Sequence, residues 1–302
     1  MTNNADSRGI KRVGVAGAGL MGSGIAQVSA MAGYETVVLE AREPFLQRGM
    51  AAVEKRLERA VDKGKLDSAD RDGALGRLSG TLSTADLGGC DIVIEAITEN
   101  LDAKKTLYAD IEKSLLPDAI LASNTSSLSI TELAASTSRP ERFVGLHFFN
   151  PVPVMALVEV VRSGATSDKA ADAAFSFAAS LGKKPVSCRD NTGFIVNRLL
   201  VPYMLDAIRA YEEGIGSITD IDLALKLGCG YPMGPFTLGD FVGLDTLYHV
   251  TEIMFDEYRE KRYASPPLLR RLFLAGRHGR KTGIGFYDYR GEKPVVSDFV
   301  KR

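Results

Sequence analysis

At 302 residues the chain has room for two domains and a large core. Its 37 basic and 38 acidic residues leave a net charge of −1, so no global field favours nucleic acid or an anionic membrane surface. Cys90, Cys188 and Cys229 are scattered without paired ligand spacing, which argues against a disulfide framework and a metal site and suits a reducing cytoplasm. No apolar stretch approaches the roughly 20 residues of a membrane span, and residues 1–8 lack the apolar core of a signal peptide.

Residues 12–16 read as a short buried strand, 20–32 as a helix rich in Ala and Met, and 35–40 as a second strand. Together they make a βαβ unit of about 30 residues. Its first turn, Gly17-Ala18-Gly19-Leu20-Met21-Gly22, fits the spacing GxGxxG. Glycines there permit a tight turn, close approach of a pyrophosphate and tight helix–strand packing, while the helix start offers unpaired N–H groups. The alternative is a merely structural turn; the strand before and the helix after favour dinucleotide binding. Glu40 ends the second strand, where an acid can bind the adenosine ribose and repel a 2′-phosphate, so NAD is favoured. Arg42 leaves NADP open, although a solvated loop charge is its simpler reading.

Two charged helical stretches follow, at about 45–63 and 67–78, and read as an inserted hairpin of helices turning at Gly64. Lys55, Arg56, Arg59 and Lys63 are balanced there by Glu54, Glu58 and Asp62, as on a solvated face. Strand signals return at 91–97 and 119–123. The second of these ends in Asn124-Thr125-Ser126-Ser127, at the edge where open α/β sheets bind ligands. An amide or hydroxyl in that run can serve the cofactor or the substrate; alternatively Ser127 or Ser129 caps a short helix with Glu132.

Residues 142–148 and 157–163 form the next strand pair, with Pro151 and Pro153 between them. A hairpin centred on residue 153 sets His147 opposite Glu159. Directly opposed side chains share a face, with Cβ atoms about 5 Å apart. A carboxylate so placed can hold one imidazole nitrogen and leave the other as a base. The competing reading is a buried pair that only closes the core. A helix at 168–181 and a strand at 184–188 complete an α/β fold: a Rossmann-type, doubly wound, mostly parallel sheet over residues 1–190.

From 191 to 302 the pattern becomes all-α. A long helix at 192–213 is apolar nearly all round, as in a buried helix, and Pro202 is expected to kink it. Further helices read at 218–227, 244–258 and 267–275, with Gly/Pro punctuation at 228–239. Asn197 is a polar amide in this apolar setting; it either contacts a substrate oxygen or closes a neighbouring loop. The basic run Arg277-His278-Gly279-Arg280-Lys281 reads as a solvated loop or a phosphate contact, and His249 as structural.

In order and spacing, Gly17–Gly24, Glu95-Ala96-Ile97 with Glu99-Asn100, Ser123–Leu128, His147–Pro153, Asp190–Leu200 and Lys281–Tyr287 resemble the 3-hydroxyacyl-CoA dehydrogenase family over nearly the whole chain. The resemblance implies His147 as general base, Glu159 as its orienting carboxylate, Asn197 near the reacting oxygen, and Ser126 on the substrate hydroxyl or the cofactor. It implies Glu99, Lys104, Asn150 and Lys281 around an NAD cofactor, beside the Asn124 amide read above, and Arg56 and Lys63 on an arm that holds the CoA moiety of an acyl-CoA substrate. It further implies a homodimer built through the helical domain. The acid at position 40, commonly Asp in this family, is Glu here, which keeps NADP in play. Two alternatives remain: a dehydrogenase of a free hydroxy or sugar acid, and a dinucleotide-binding protein without catalysis.

Overall fold

The computed structural model describes residues 9–301; the segment 1–8, read above for a leader, lies outside the described residues. The chain forms two compact units that divide between Phe194 and Ile195.

In the N-terminal unit, β1 (Arg12–Ala16), α1 (Leu20–Met31) and β2 (Glu35–Leu39) form the first βαβ unit. Helices α2 (Glu43–Asp62) and α3 (Ser68–Gly76) follow, then β3 (Leu78–Thr81), β4 (Ile92–Glu95), α4 (Leu101–Ile111), β5 (Ile120–Ser123) and α5 (Ile130–Ala135). The unit continues through β6 (Phe143–Phe148), β7 (Leu157–Arg162), α6 (Asp168–Ser180) and β8 (Lys184–Arg189). All eight strands join one sheet in the order β3-β2-β1-β4-β5-β6-β7-β8. Strands β1 to β6 are parallel, β7 is antiparallel to β6, and β8 is parallel to β7. β4, β5 and β6 are buried along their whole length, as parallel strands covered on both faces must be.

Strand order reverses between β1 and β4, which opens a crevice at their carboxyl ends. Gly17 turns the chain there with φ +106°, and a Cβ on it would lie 2.6 Å from the carbonyl oxygen of Ala96. Only glycine fits such a turn. The helical reading of 67–78 overruns, because α3 stops at Gly76 and residues 78–81 add an edge strand beside β2. Leu-Ser-Gly-Thr has little strand character of its own; pairing with Thr36–Leu39 makes it a strand.

The C-terminal unit holds α7 (Val196–Glu212), α8 (Ile218–Cys229), α9 (Pro235–Val242), α10 (Leu244–Tyr258) and α11 (Pro267–Leu274). A ribbon of β9 (Tyr287–Asp288) and β10 (Val295–Val296) is its only sheet among the described residues. Met204, Leu205, Phe236, Leu269 and Phe286 are in its core. Helix α7 begins later than the expected 192, because Gly193 and Phe194 take φ +86° and +48°, outside the helical region. The stretch read as Gly/Pro punctuation contains α9, which Pro235 opens from the first helical position. Among the described residues no helix is long and apolar enough to cross a membrane.

Candidate active site

His147 pairs with Glu159 across β6 and β7, as the spacing predicts. Its Nδ1 lies 2.6 Å from Glu159 Oε2, with Glu159 fully buried and His147 6% exposed. Phe149 and Phe194 pack on the imidazole at centroid distances of 4.5 and 5.5 Å. Nε2 has no hydrogen-bond partner among the described residues. The ring is therefore oriented from one side and has one nitrogen left for chemistry. Because β6 is parallel to β5, His147 stands at the same carboxyl edge as the glycine loop. Phe194, read above as part of a helix, is a left-handed residue whose buried ring meets the imidazole; a bulky residue held at positive φ often marks a functional site.

The glycine loop suits a pyrophosphate. Gly19 caps α1, a Cβ there would meet nothing within 4 Å, and no side chain caps the first N–H groups. Glu40 follows β2 and accepts from the N–H of Ala18 at 2.9 Å and of Ala41 at 2.7 Å, so its carboxylate is held against the loop. A cleft of about 490 Å³ is lined by Ala18, Gly19, Leu20, Glu40, Arg48 and Arg56, among others. Arg56 is half-buried: Nε donates to Gln27 Oε1 at 2.7 Å, a second nitrogen reaches Ser23 Oγ at 3.2 Å, and burial lowers its pKa. Arg56 is thus not the solvated charge that its acidic neighbours in the sequence suggest, since α1 amide and hydroxyl groups hold it over the cleft. Lys63 is exposed at the C-terminal end of α2. Arg42 lies 4.6 Å over the Phe45 ring.

Beside this loop the Asn124–Leu128 segment is tightly tied. Asn124 Oδ1 accepts from the N–H of Phe148 at 2.9 Å, so this amide braces the strand end that carries His147. Glu99 Oε1 accepts from Thr125 Oγ1 (2.5 Å), the Ser126 N–H (3.0 Å) and Ser127 Oγ (3.0 Å). Ser126 Oγ, between them, has no hydrogen-bond partner among the described residues. Burial pushes the Glu99 carboxyl up, but the Lys104 charge and these hydrogen bonds outweigh it and leave the pKa below the usual carboxylate value. Lys104 is 1% exposed, with its ammonium 2.5 Å from Glu95 and 3.3 Å from Glu99. Two carboxylates thus hold the Lys104 ammonium, one of them the Glu99 that gathers the Thr125–Ser127 loop. Ser129, not Ser127, caps α5, and Asp190 binds Ser129 and the Ile130 and Thr131 N–H groups.

Asn150 is exposed and precedes Pro151 through a cis peptide bond. In the C-terminal unit, Asn197 is the second residue of α7 and half-buried. Lys281 is ion-paired with Asp245 of α10. The other basic-run residues are also engaged: Arg277 with Ser297, His278 with the Phe273 carbonyl, and Arg280 over Phe241 and Tyr289.

A parallel sheet with a dinucleotide-shaped loop at its reversal, and a carboxylate-held histidine at the same edge, defines a nicotinamide-dependent dehydrogenase. Comparison with known proteins narrows the class. The chain belongs to the 3-hydroxyacyl-CoA dehydrogenase family: residues 12–191 match its NAD binding domain and residues 193–289 its C-terminal domain. It is 50% identical over 285 residues to a 3-hydroxybutyryl-CoA dehydrogenase of Mycobacterium tuberculosis, covering 94% of this chain and 100% of the relative. It is 45% identical over 292 residues to the mitochondrial hydroxyacyl-coenzyme A dehydrogenase of Homo sapiens, covering 93% and 92%. The crystal structure of (S)-3-hydroxybutyryl-CoA dehydrogenase from Ralstonia eutropha superposes with a TM-score of 0.90 at 45% identity, covering 93% of this chain and 100% of that one.

Proposed function

We propose that the protein interconverts (S)-3-hydroxyacyl-CoA and 3-oxoacyl-CoA with NAD, the natural pair being 3-hydroxybutyryl-CoA and acetoacetyl-CoA. The observation that carries this reading is the 2.6 Å contact of His147 Nδ1 with Glu159, which leaves Nε2 free at the edge that holds the glycine loop. When bound, NAD supplies the hydride acceptor, or as NADH the donor. Gly17, Gly19, Leu20, Met21 and Gly22 would hold its pyrophosphate, with Glu40 on the ribose. Glu99, Lys104, Asn150 and Lys281 are assigned to the cofactor by family likeness.

A secondary alcohol releases hydride readily only if its proton leaves too, so a base must stand on the hydroxyl. In oxidation His147 Nε2 takes that proton, and ionised Glu159 stabilises the imidazolium. In reduction the same imidazolium protonates the developing alkoxide. General acid–base help of this kind contributes about 10²–10⁴-fold. The free hydroxyl of Ser126 supports a substrate contact, and family likeness assigns Asn197 to the reacting oxygen. Arg56 and Lys63 offer cations for the CoA phosphates.

The test is oxidation of NADH with acetoacetyl-CoA and with acetoacetate alone. Turnover should need the CoA ester; equal turnover of the free acid would favour a free hydroxy-acid dehydrogenase on the same scaffold. We also propose a cytoplasmic homodimer through the helical unit, where Leu223 and Leu227 of α8 are 53% and 76% exposed one helical turn apart. Sedimentation at micromolar concentration should give twice the 32.5 kDa chain mass, and a monomer alone would sink the dimer.

A further inference from the structure

Glu95 closes β4 with no solvent exposure, among strand residues that are otherwise apolar. Four donors meet it. Lys104 Nζ at 2.5 Å and the Ile97 N–H at 2.8 Å reach Oε1, while the Tyr108 hydroxyl at 2.7 Å and Ser123 Oγ at 2.8 Å reach Oε2. A buried ion pair is often no more stabilising than well-packed apolar residues of the same volume, so stability alone is a weak reason for this one.

Two routes run from the cluster to the same loop. By the first, Lys104 touches Glu99 Oε2 at 3.3 Å, and Glu99 Oε1 gathers Thr125, the Ser126 N–H and Ser127. By the second, Ser123 Oγ, which donates to Glu95, accepts from the Thr125 N–H at 3.2 Å. Thr125 Oγ1 in turn accepts from the Leu128 N–H at 2.9 Å. Both routes grip the backbone around Ser126 and the hydroxyls on either side of it, and neither takes the Ser126 hydroxyl.

We propose that Glu95 and Tyr108 are positioning residues for the reaction: through Lys104–Glu99 and through Ser123 they hold the 125–127 loop so that the Ser126 hydroxyl meets the substrate in one place. The proposal rests on the substrate role given to Ser126 above. Tyr108 suits this task. Burial and then the Glu95 charge push its phenol pKa far up, so it remains a donor throughout the working range. Its ring packs edge-on against Phe143 at 5.3 Å, so Tyr108→Phe removes a hydrogen bond and little packing.

The experiment compares wild type, Tyr108→Phe, Ser126→Ala and the double variant in acetoacetyl-CoA reduction, alongside amide hydrogen exchange of the loop. Ser123→Ala, which cuts the second route, serves as a further single variant in case Tyr108→Phe folds poorly. Tyr108→Phe should lower kcat about tenfold, since small misplacements at a reacting centre are costly, with the KM for NADH nearly unchanged. The Ser126 amide should exchange roughly tenfold faster, as expected when local opening becomes easier. In the Ser126→Ala background the second change should cost less than about twofold more, because residues acting through one another are not additive. Penalties that multiply in full, or unchanged exchange at the Ser126 amide, would overturn the proposal. If the wild type turns over no acyl-CoA, the substrate reading itself fails, and the exchange data alone decide whether the network sets the loop.

Discussion

Among the described residues each unit buries two carboxylates, and the two pairs are satisfied in different ways. In the N-terminal unit Glu95 meets the Lys104 ammonium and Glu159 meets the His147 imidazole, so each has a partner that carries or can take a charge. In the C-terminal unit Asp222 accepts from the N–H groups of Phe236 and Thr237 and from the Thr237 and Tyr287 hydroxyls. Asp240 accepts from the N–H groups of Phe286 and Tyr287 and from the Tyr289 hydroxyl. Neither aspartate has an ion-pair partner among the described residues. Neutral donors fixed on backbone make a clamp: Asp222 pins the start of α9, and Asp240 pins the turn into β9. The turn lies so close that a Cβ on Gly285 would come 2.0 Å from Asp240 Oδ1, which explains the glycine in the Lys281–Tyr287 motif. A titratable partner does something else. At His147 it leaves a ring nitrogen that can take or give a proton, which is where catalysis needs its buried acid.

The contrast breaks first at His147. His147→Gln keeps a hydrogen-bonding side chain opposite Glu159 but removes the base. Turnover with acetoacetyl-CoA should fall about 10³-fold, within the range of general acid–base catalysis. NADH binding, followed by fluorescence titration, should stay within roughly threefold, because the glycine loop and Glu40 are untouched. Unchanged turnover would leave the pair as a mere core contact.

The smaller effect tests the clamp. Burial raises the Asp240 carboxyl to about 6, against the hydrogen bonds of Tyr287, Phe286 and Tyr289, which lower it. A carboxyl raised on folding contributes stability that is present below its ordinary pKa of about 4. That contribution is lost as pH rises through the folded value of about 6. The gap between those two values corresponds to about 3 kcal/mol. Asp240→Asn removes the titration, so whatever constant cost the amide brings, the unfolding free energy of wild type relative to the variant should fall by about that amount between pH 4 and 7. A pH-independent difference in urea melts would show that Asp240 is not buried as a proton-binding acid.

Much of the catalytic geometry is legible in residue order. Strand β1, the glycine loop and Glu40 follow from one local βαβ unit, and the register of His147 on Glu159 follows from counting along a hairpin. Elsewhere local pattern misleads or is silent. Residues 78–81 become a strand only beside β2, and Pro235 begins a helix within a stretch that reads as punctuation. Glu95 carries a signal that motif spacing passes over: a charge ending the apolar run Ile-Val-Ile needs a partner, just as His147 does.

Composition, period and spacing by themselves determined the dinucleotide sheet, its NAD-type loop and the His–Glu pair, because each arises between neighbours along the chain or across one turn. Tertiary structure decided how the polar groups are shared out. Glu95 draws its donors from Lys104, Tyr108 and Ser123, which are 9, 13 and 28 residues away. Asp240 reaches Phe286 and Tyr287, which are 46 and 47 residues on. Which lysine is occupied, and which of three adjacent hydroxyls stays free, depends on desolvated donors and acceptors meeting across such distances. Burial makes an unmet donor or acceptor costly, and only the folded chain determines which of them meet.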